Sequence, residues 1–467
     1  MGPMKEDTTA PVKTGPRRPE GGTTLIVLVG LAIALLLSTA LLNELRSGAL
    51  LSETTLLYAT LLFYVGAAAL YLGFGVRGTE GYLRWASIST WLGLAANTAV
   101  VARHWYQAGH PPLTNLYETL LSFVWAVAVL TVVAERRYGV RVIGMITMPL
   151  AIAGVVLMEQ LRTEVHPLSP LLQSNWLQVH VTLAILAYAA CAVSFALAIM
   201  FLIQDRVETR TFLAIASAGT LAIYASIVVA SVEKWGGLAG TGWAEIAIGH
   251  GLRLKAPLAL LSWSMMAALA VVATPAVCCA LGYRNWSERL VAVANRSLLA
   301  GILLQGLSLA VLLRLTGPSA AAGSGWLPTA LGSSPFVLTG LVSSLLIAVF
   351  FLVLAWRRTE LERLLPAAEL LDRVTYRTIC LAFPLLTLTI ATGAYWANQA
   401  WGSYWSWDPK ETWAVITWLV YALYLHMRIT VGWRGRRAAY FAIAGFAVVI
   451  FTFFGVSYLL RGMHAFL

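Results

Sequence analysis

Apolar runs of bilayer length, repeated along almost the whole chain and separated by short polar segments, leave few folds open. A run of about 20 apolar residues crosses the hydrocarbon core of a membrane as one helix. On that measure about thirteen spans are expected, over 24–43, 54–76, 83–103, 114–134, 140–158, 176–204, 211–232, 256–282, 297–316, 335–356, 376–397, 411–430 and 437–460. Lipid admits only helices and closed barrels, and a barrel would be written as short alternating segments. The expected fold class is therefore all-α, a polytopic integral membrane protein. At 59% hydrophobic and 11% charged, with mean hydropathy +0.76, the composition lies far from that of soluble domains.

Basic residues set the orientation. With the N-terminus inside, Lys5, Lys13, Arg17, Arg18, Arg136, Arg137, Arg357, Arg358, Arg434, Arg436 and Arg437 all fall on the inner side, as the positive-inside rule requires. The C-terminus then lies outside. The net charge of +11 reports this topology and gives no support to a nucleic-acid partner. Residues 1–22, polar and containing Pro and Gly, read as a disordered inner tail. The first apolar run is too long for a signal peptide and lacks a small-residue cleavage site, so it reads as an anchor. The four cysteines all fall within expected spans and form no C-x-x-C, which points to packing rather than thiol chemistry.

Between the spans at 376–397 and 411–430 lies Trp401-Gly-Ser-Tyr404-Trp405-Ser-Trp407-Asp408-Pro-Lys410-Glu411-Thr-Trp413. Interfacial tryptophans are common as membrane anchors, but anchors come singly. The segment reads as an aromatic platform on the outer face, suited to something large, flat and apolar. Trp401, Trp405 and Trp407 are candidates to stack on such a ring system. Asp408 and Glu411 suit the N-terminus of the following helix, with Pro409 in its first turn. Lys410 is a candidate to pair with an anionic group on the ligand.

Seven histidines stand against this background. His180 follows Trp176 by four residues, so both lie on one helix face at the expected outer end of a span. His464 lies just past the last span, again outside. His426 falls within the span at 411–430, about 20 Å along the helix from Trp413, in the inner half of the membrane. An imidazole there is costly unless it is used. His104, His110, His166 and His250 fall in outer segments or at helix ends, with no role assigned. Two outer imidazoles flanking an aromatic platform match the way iron porphyrin is commonly held. Zinc would need three or four closely spaced ligands, and neither H-x-x-x-H nor H-E-x-x-H occurs. A second outer segment, His110-Pro-Pro-Leu-Thr114-Asn115-Leu-Tyr-Glu118, is close to a capping box, and its position makes it a possible second wall of the site.

The tryptophan-rich segment closely resembles the "WWD" signature of haem-handling proteins of cytochrome c assembly, and within them the CcsA (ResC) branch of the system II cytochrome c synthases. Leu371-Asp-Arg-Val-Thr-Tyr376, Gly432-Trp-Arg-Gly-Arg-Arg437, Gly455-Val-Ser-Tyr-Leu-Leu460, Pro112-Leu-Thr-Asn-Leu-Tyr-Glu118 and Ser174-Asn-Trp-Leu-Gln-Val-His180 extend the likeness. It covers roughly 83–206 and 370–467. It implies that His180 and His464 ligate haem b beside the platform and act in the reaction, and that His426 holds haem within the membrane. The platform residues Trp401, Tyr404, Trp405, Trp407, Asp408, Lys410, Glu411 and Trp413 would line the cofactor. The implied activity is that of a holocytochrome c synthase, attaching haem to C-x-x-C-H of apocytochrome c on the outer face of the bacterial cytoplasmic membrane. The implied partners are a CcsB (ResB)-type membrane subunit, without which the chain would be inactive, apocytochrome c, and thiol-reducing proteins.

The resulting organisation is a tail at 1–22, haem-handling helices at 23–206, a four-span insertion at 207–369 with no recognisable motif, and a WWD-containing core at 370–467. The insertion would be a departure from the family pattern. A haem exporter or other secondary transporter without attachment chemistry is the main alternative. Transporters place their sites at midplane in broken helices, however, and here the charges cluster at an outer loop. A redox membrane cytochrome is weaker still, because its histidine pairs usually lie within the spans.

Overall fold

The computed structural model describes residues 52–160, 172–206, 243–248, 252–257 and 358–456. Within them lie α1 (Glu53–Arg77), α2 (Glu80–Ala108), α3 (Leu116–Tyr138), α4 (Gly144–Gln160) and α5 (Asn175–Gln204). After these come α6 (Arg358–Leu364), α7 (Ala368–Trp401), α8 (Pro409–Ile429) and α9 (Arg436–Ile450), which ends in a π-helical turn at Phe451–Gly455. Eight of the expected spans coincide with these helices. Five helical stretches are long and apolar enough to cross a membrane: Glu53–Gly75, Leu116–Tyr138, Asn175–Gln204, Ala368–Trp401 and Arg436–Phe454. The expected spans at 24–43, 211–232, 297–316 and 335–356, and nearly all of 256–282, lie outside the described residues.

One element departs from an all-helical reading. Strand β1 (Trp243–Ile248) pairs antiparallel with β2 (Leu252–Pro257), Trp243 opposite Pro257 and Ile248 opposite Leu252. Alternation in Leu252-Arg-Leu-Lys255 and the β-branched Ile246 and Ile248 favour strands over so short a stretch. Most of this hairpin falls between the expected spans at 211–232 and 256–282, where no strand was expected.

Local chemistry sets the helix ends. Ser52 caps α1 by accepting from Thr55 N at 3.0 Å, and Asn115 caps α3 by accepting from Glu118 N at 2.8 Å. Asp408 caps α8 by accepting from Lys410 N at 3.0 Å, with Pro409 at the first helical position. At the end of α7, Gly402 takes φ +74°, which a side chain would resist.

Helix α5 forms the axis of the core. Ala187, Ala189, Ala190, Cys191, Ala192, Ser194, Ala196 and Ala198 are all buried, and such small residues let α7 and α9 pack closely on it. On α7, by contrast, Cys380, Leu381 and Leu388 are exposed, so one long face of that helix is left for lipid or another protein.

The starts of α3, α5 and α8 and the ends of α7 and α9 meet at one end of the bundle, because successive helices run up and down. The opposite end collects the close of α5 and α8 and the starts of α7 and α9.

Candidate functional site

At the first of these ends the bundle encloses a cavity of about 330 Å³, within the usual ligand-pocket range of ~300–1,000 Å³. Its walls come from every helix end that meets there. Leu113, Thr114 and Thr119 come from the α3 start, and His180, Val181, Ile185 and Tyr188 from α5. Gly393, Trp396 and Trp401 come from α7, and Tyr404, Trp405, Lys410 and Glu411 from the following loop and α8. Phe453 reaches in from the π-helical turn. Such a turn re-aims side chains at the end of a helix and is frequent at functional sites.

His180 is the centre of the arrangement. Its Nδ1 lies 2.8 Å from the carbonyl oxygen of Thr389 on α7, 209 residues later in the chain. A carbonyl only accepts, so Nδ1 carries the proton and Nε2 is the basic nitrogen. This is the support that fixes tautomer and ring orientation in metal-binding histidines. Gly393 makes room for the ring: a Cβ there would stand 2.6 Å from His180 Cε1 and 2.7 Å from Nδ1. Trp176, expected on the same face, is exposed and instead packs on Tyr395 with centroids 4.5 Å apart.

Of the platform residues, Trp401, Tyr404, Trp405, Lys410 and Glu411 line the cavity and the others do not. Trp407 is 76% exposed and sets its ring edge-on to Trp405, centroids 5.8 Å apart. Its φ of +59° is rare for so bulky a residue and turns its side chain away from the cavity. Trp413 packs on Phe451 at 4.3 Å, one turn into α8 and away from the site. Asp408 is buried as the helix cap described above, a structural role. Glu411 Oε2 accepts from Ser406 N at 2.8 Å and Ser406 Oγ at 3.1 Å, which ties the loop back onto α8. Lys410 stands one residue ahead of the expected span, and burial pushes its ammonium down to about 8, with Asp408 opposing the shift.

His426 is on the exposed surface of α8 and does not enter the cavity. His464, His166 and His250 lie outside the described residues. Sequence reasoning missed Gly393, Tyr188, Trp396 and Phe453. An aromatic or a glycine inside an apolar run carries no local mark of what it will face.

The residues present fit a haem group. A basic imidazole nitrogen with a fixed tautomer, aromatic and aliphatic walls, and one lysine at the rim are the donor, faces and counter-charge that it needs.

Two stretches, residues 113–280 and 283–464, match the family described as Cytochrome C assembly protein. Relatives named "Cytochrome c biogenesis protein CcsA" are similar along most of their length. That of Trichormus variabilis is 34% identical over 422 residues, 89% of this chain and 95% of the relative. That of Synechocystis sp. is 33% identical over 396 residues, 84% and 88% of the two chains, and that of Microcystis aeruginosa 32% over 373 residues, 79% and 83%. The matched stretches run through 207–369, and an alignment of 422 residues cannot leave that whole segment out. It is shared with these relatives at least in part, which corrects the expected departure from the family pattern.

Proposed function

The chain belongs to the cytochrome c assembly protein family and is of the CcsA type, and from that premise we propose that it is the haem-handling subunit of a cytochrome c synthase. In this reading it brings haem b to the cavity beneath the tryptophan-rich loop and presents it, on the extracytoplasmic face, to C-x-x-C-H of apocytochrome c. The observation that carries the reading is His180, held through Nδ1 by Thr389 in an aromatic cavity that Gly393 keeps open for its ring.

His180 would hold the haem iron through its basic Nε2, and His464 is proposed as the second residue to hold it. Trp401 and Trp405 would pack against the porphyrin, while Val181, Ile185 and Tyr188 would keep water out of the cavity. Lys410 neutralises a propionate, a pairing that favours its charged form. The haem brings the vinyl groups to which the two cysteine thiols add. Holding thiol and vinyl carbons together contributes ~7–11 kcal/mol through effective molarity. The histidine of C-x-x-C-H could compete with His180 or His464 for the bound haem, which would help to release the product. His426, exposed on α8, would be free of the cavity to hold haem together with the CcsB-type partner before it reaches the outer face.

Replacing His180 and His464 by Ala, singly and together, tests the ligand assignment in the copurified complex. Each single variant should lose the bis-imidazole spectrum, and the double variant should retain little haem. Unchanged haem content and spectrum in the double variant would remove both as ligands. Adding a C-x-x-C-H peptide separates the synthase from the exporter, because only the synthase leaves haem covalently on the peptide.

A further inference from the structure

A group of buried charges next to the cavity has no part in the site as described so far. His104, 3% exposed near the end of α2, sets Nδ1 3.2 Å from Glu53 Oε1 on α1 and Nε2 3.2 Å from Glu118 Oε1 on α3. A neutral imidazole has one donor and one acceptor nitrogen. With a carboxylate oxygen against each, the ring is satisfied on both sides only when both nitrogens carry protons. His104 is thus an imidazolium bridging two carboxylates. Burial works against that charge, but the hydrogen bonds to Glu118 and Glu53 outweigh it and raise the group to about 9. The Tyr117 hydroxyl donates to Glu53 Oε1 as well.

Glu118 carries this network to the cavity. Its Oε2 accepts from Thr114 N at 2.8 Å and from Thr114 Oγ1 at 2.7 Å, and its Oε1 accepts from Asn115 Nδ2 at 2.9 Å. Thr114 and its neighbour Leu113 are part of the cavity wall. A helix cap needs Asn115 and Glu118 alone. It has no use for a buried histidine charged from two other helices, and burying such charges is costly unless they are well paired.

We infer that Glu53, His104 and Glu118 form a positioning triad that ties α1, α2 and α3 together and holds Leu113 and Thr114 as the wall opposite the tryptophan-rich loop. Glu118 and His104 are positioning residues, since they touch the wall and not the ligand. The groups packed around His104 are Glu53 from α1, Tyr117 and Glu118 from α3, and His110 from the intervening turn, its Nδ1 4.0 Å from Glu118 Oε2. Arg103 adjoins it on α2 itself. The triad's purpose rests on the haem-site reading above, while its hold on Thr114 stands without that reading.

Amide hydrogen exchange of the full chain in detergent reads the hold directly, from about pH 7 to 10 with intrinsic base catalysis divided out. Retention of copurified haem reads the consequence. In the parent chain, protection of the peptide carrying Thr114 should fall roughly tenfold as pH passes about 9, while the peptide over 393–401 stays unchanged. His104→Gln and Glu118→Gln should show that lowered protection already at pH 7, without the step, and should release haem roughly tenfold faster. If a variant does not fold, the pH series on the parent carries the test by itself. Protection at Thr114 that stays flat with pH, or is unaltered in both variants, overturns the triad. Altered protection with unaltered haem release overturns its positioning role. A parent chain that shows the step but holds no haem overturns the haem reading, and with it the triad's purpose.

Discussion

The two ends of the bundle each gather helix ends from α5, α7, α8 and α9 and use them in opposite ways. At the cavity end, rings and small residues leave a space with a few polar groups turned into it. At the other end the charges close on each other. Asp372 on α7 accepts both Arg428 Nη1 at 2.8 Å and Nη2 at 2.7 Å from α8, and also Gly435 N at 3.2 Å from the start of α9. Arg428 lies over the Tyr376 ring, 4.8 Å from its centroid. Arg436 pairs with Asp205 at the end of α5, and Arg206 Nε meets Glu362 Oε1 of α6 at 2.6 Å. A charge spent on a neighbouring helix is a clamp. A site turns polar groups toward a space that another molecule can fill.

That contrast can be broken at four places. Asp372→Asn should have the largest effect on stability, because it leaves the guanidinium of Arg428 part-buried without its carboxylate. Thermal unfolding in detergent should show a loss of about 3–5 kcal/mol, with the haem spectrum of the surviving fraction unchanged. Gly393→Ala works at the opposite end and should do the reverse. Its Cβ would strike the His180 ring, so haem retention should fall roughly tenfold while the unfolding midpoint moves little. Parent-like haem binding in this variant would mean that His180 does not need the position seen here.

Lys410 should have a smaller effect that depends on pH. Its depressed value means that the ammonium is complete well below pH 8 and lost above it. A propionate pairing would therefore weaken as pH rises through that range, and haem retention should drop a few-fold. Lys410→Met should remove that step and hold haem at the weaker level throughout, as an equilibrium titration of haem binding against pH would show. The smallest change is expected from Glu362→Gln, which breaks a bridge whose arginine is 80% exposed. It should cost no more than ~1 kcal/mol, and a larger loss would show that the clamp end depends on its rim as well as on Asp372.

Much of this was legible in the residues. The described helices fall where the apolar runs are, because span length is set by the bilayer and helix ends by local hydrogen bonds. Ser52, Asn115 and the Asp408-Pro409 pair act as caps within three residues of their own positions. His180, Trp401, Tyr404, Trp405, Lys410 and Glu411, grouped by type and spacing, do meet in one cavity. Three members of the platform went elsewhere: Asp408 into the cap, Trp413 onto Phe451, and Trp407 outward through its left-handed backbone. Residue type alone could not separate an indole that lines a cavity from one that packs beside it. His426 does lie in a helix, α8, but the face it occupies is settled only by how α8 packs on its neighbours.

Composition and pattern alone determined that this chain is a helical membrane protein with an aromatic segment between two helices, because hydrophobic length and capping are properties of contiguous residues. Only the tertiary structure decided that Thr389 and Gly393 orient His180, and that Glu53 and His104 meet Glu118, which holds Thr114 of the cavity wall. Those contacts join helices far apart in the chain, and a hydrogen bond between them depends on packing at the scale of an ångström, which no local pattern records.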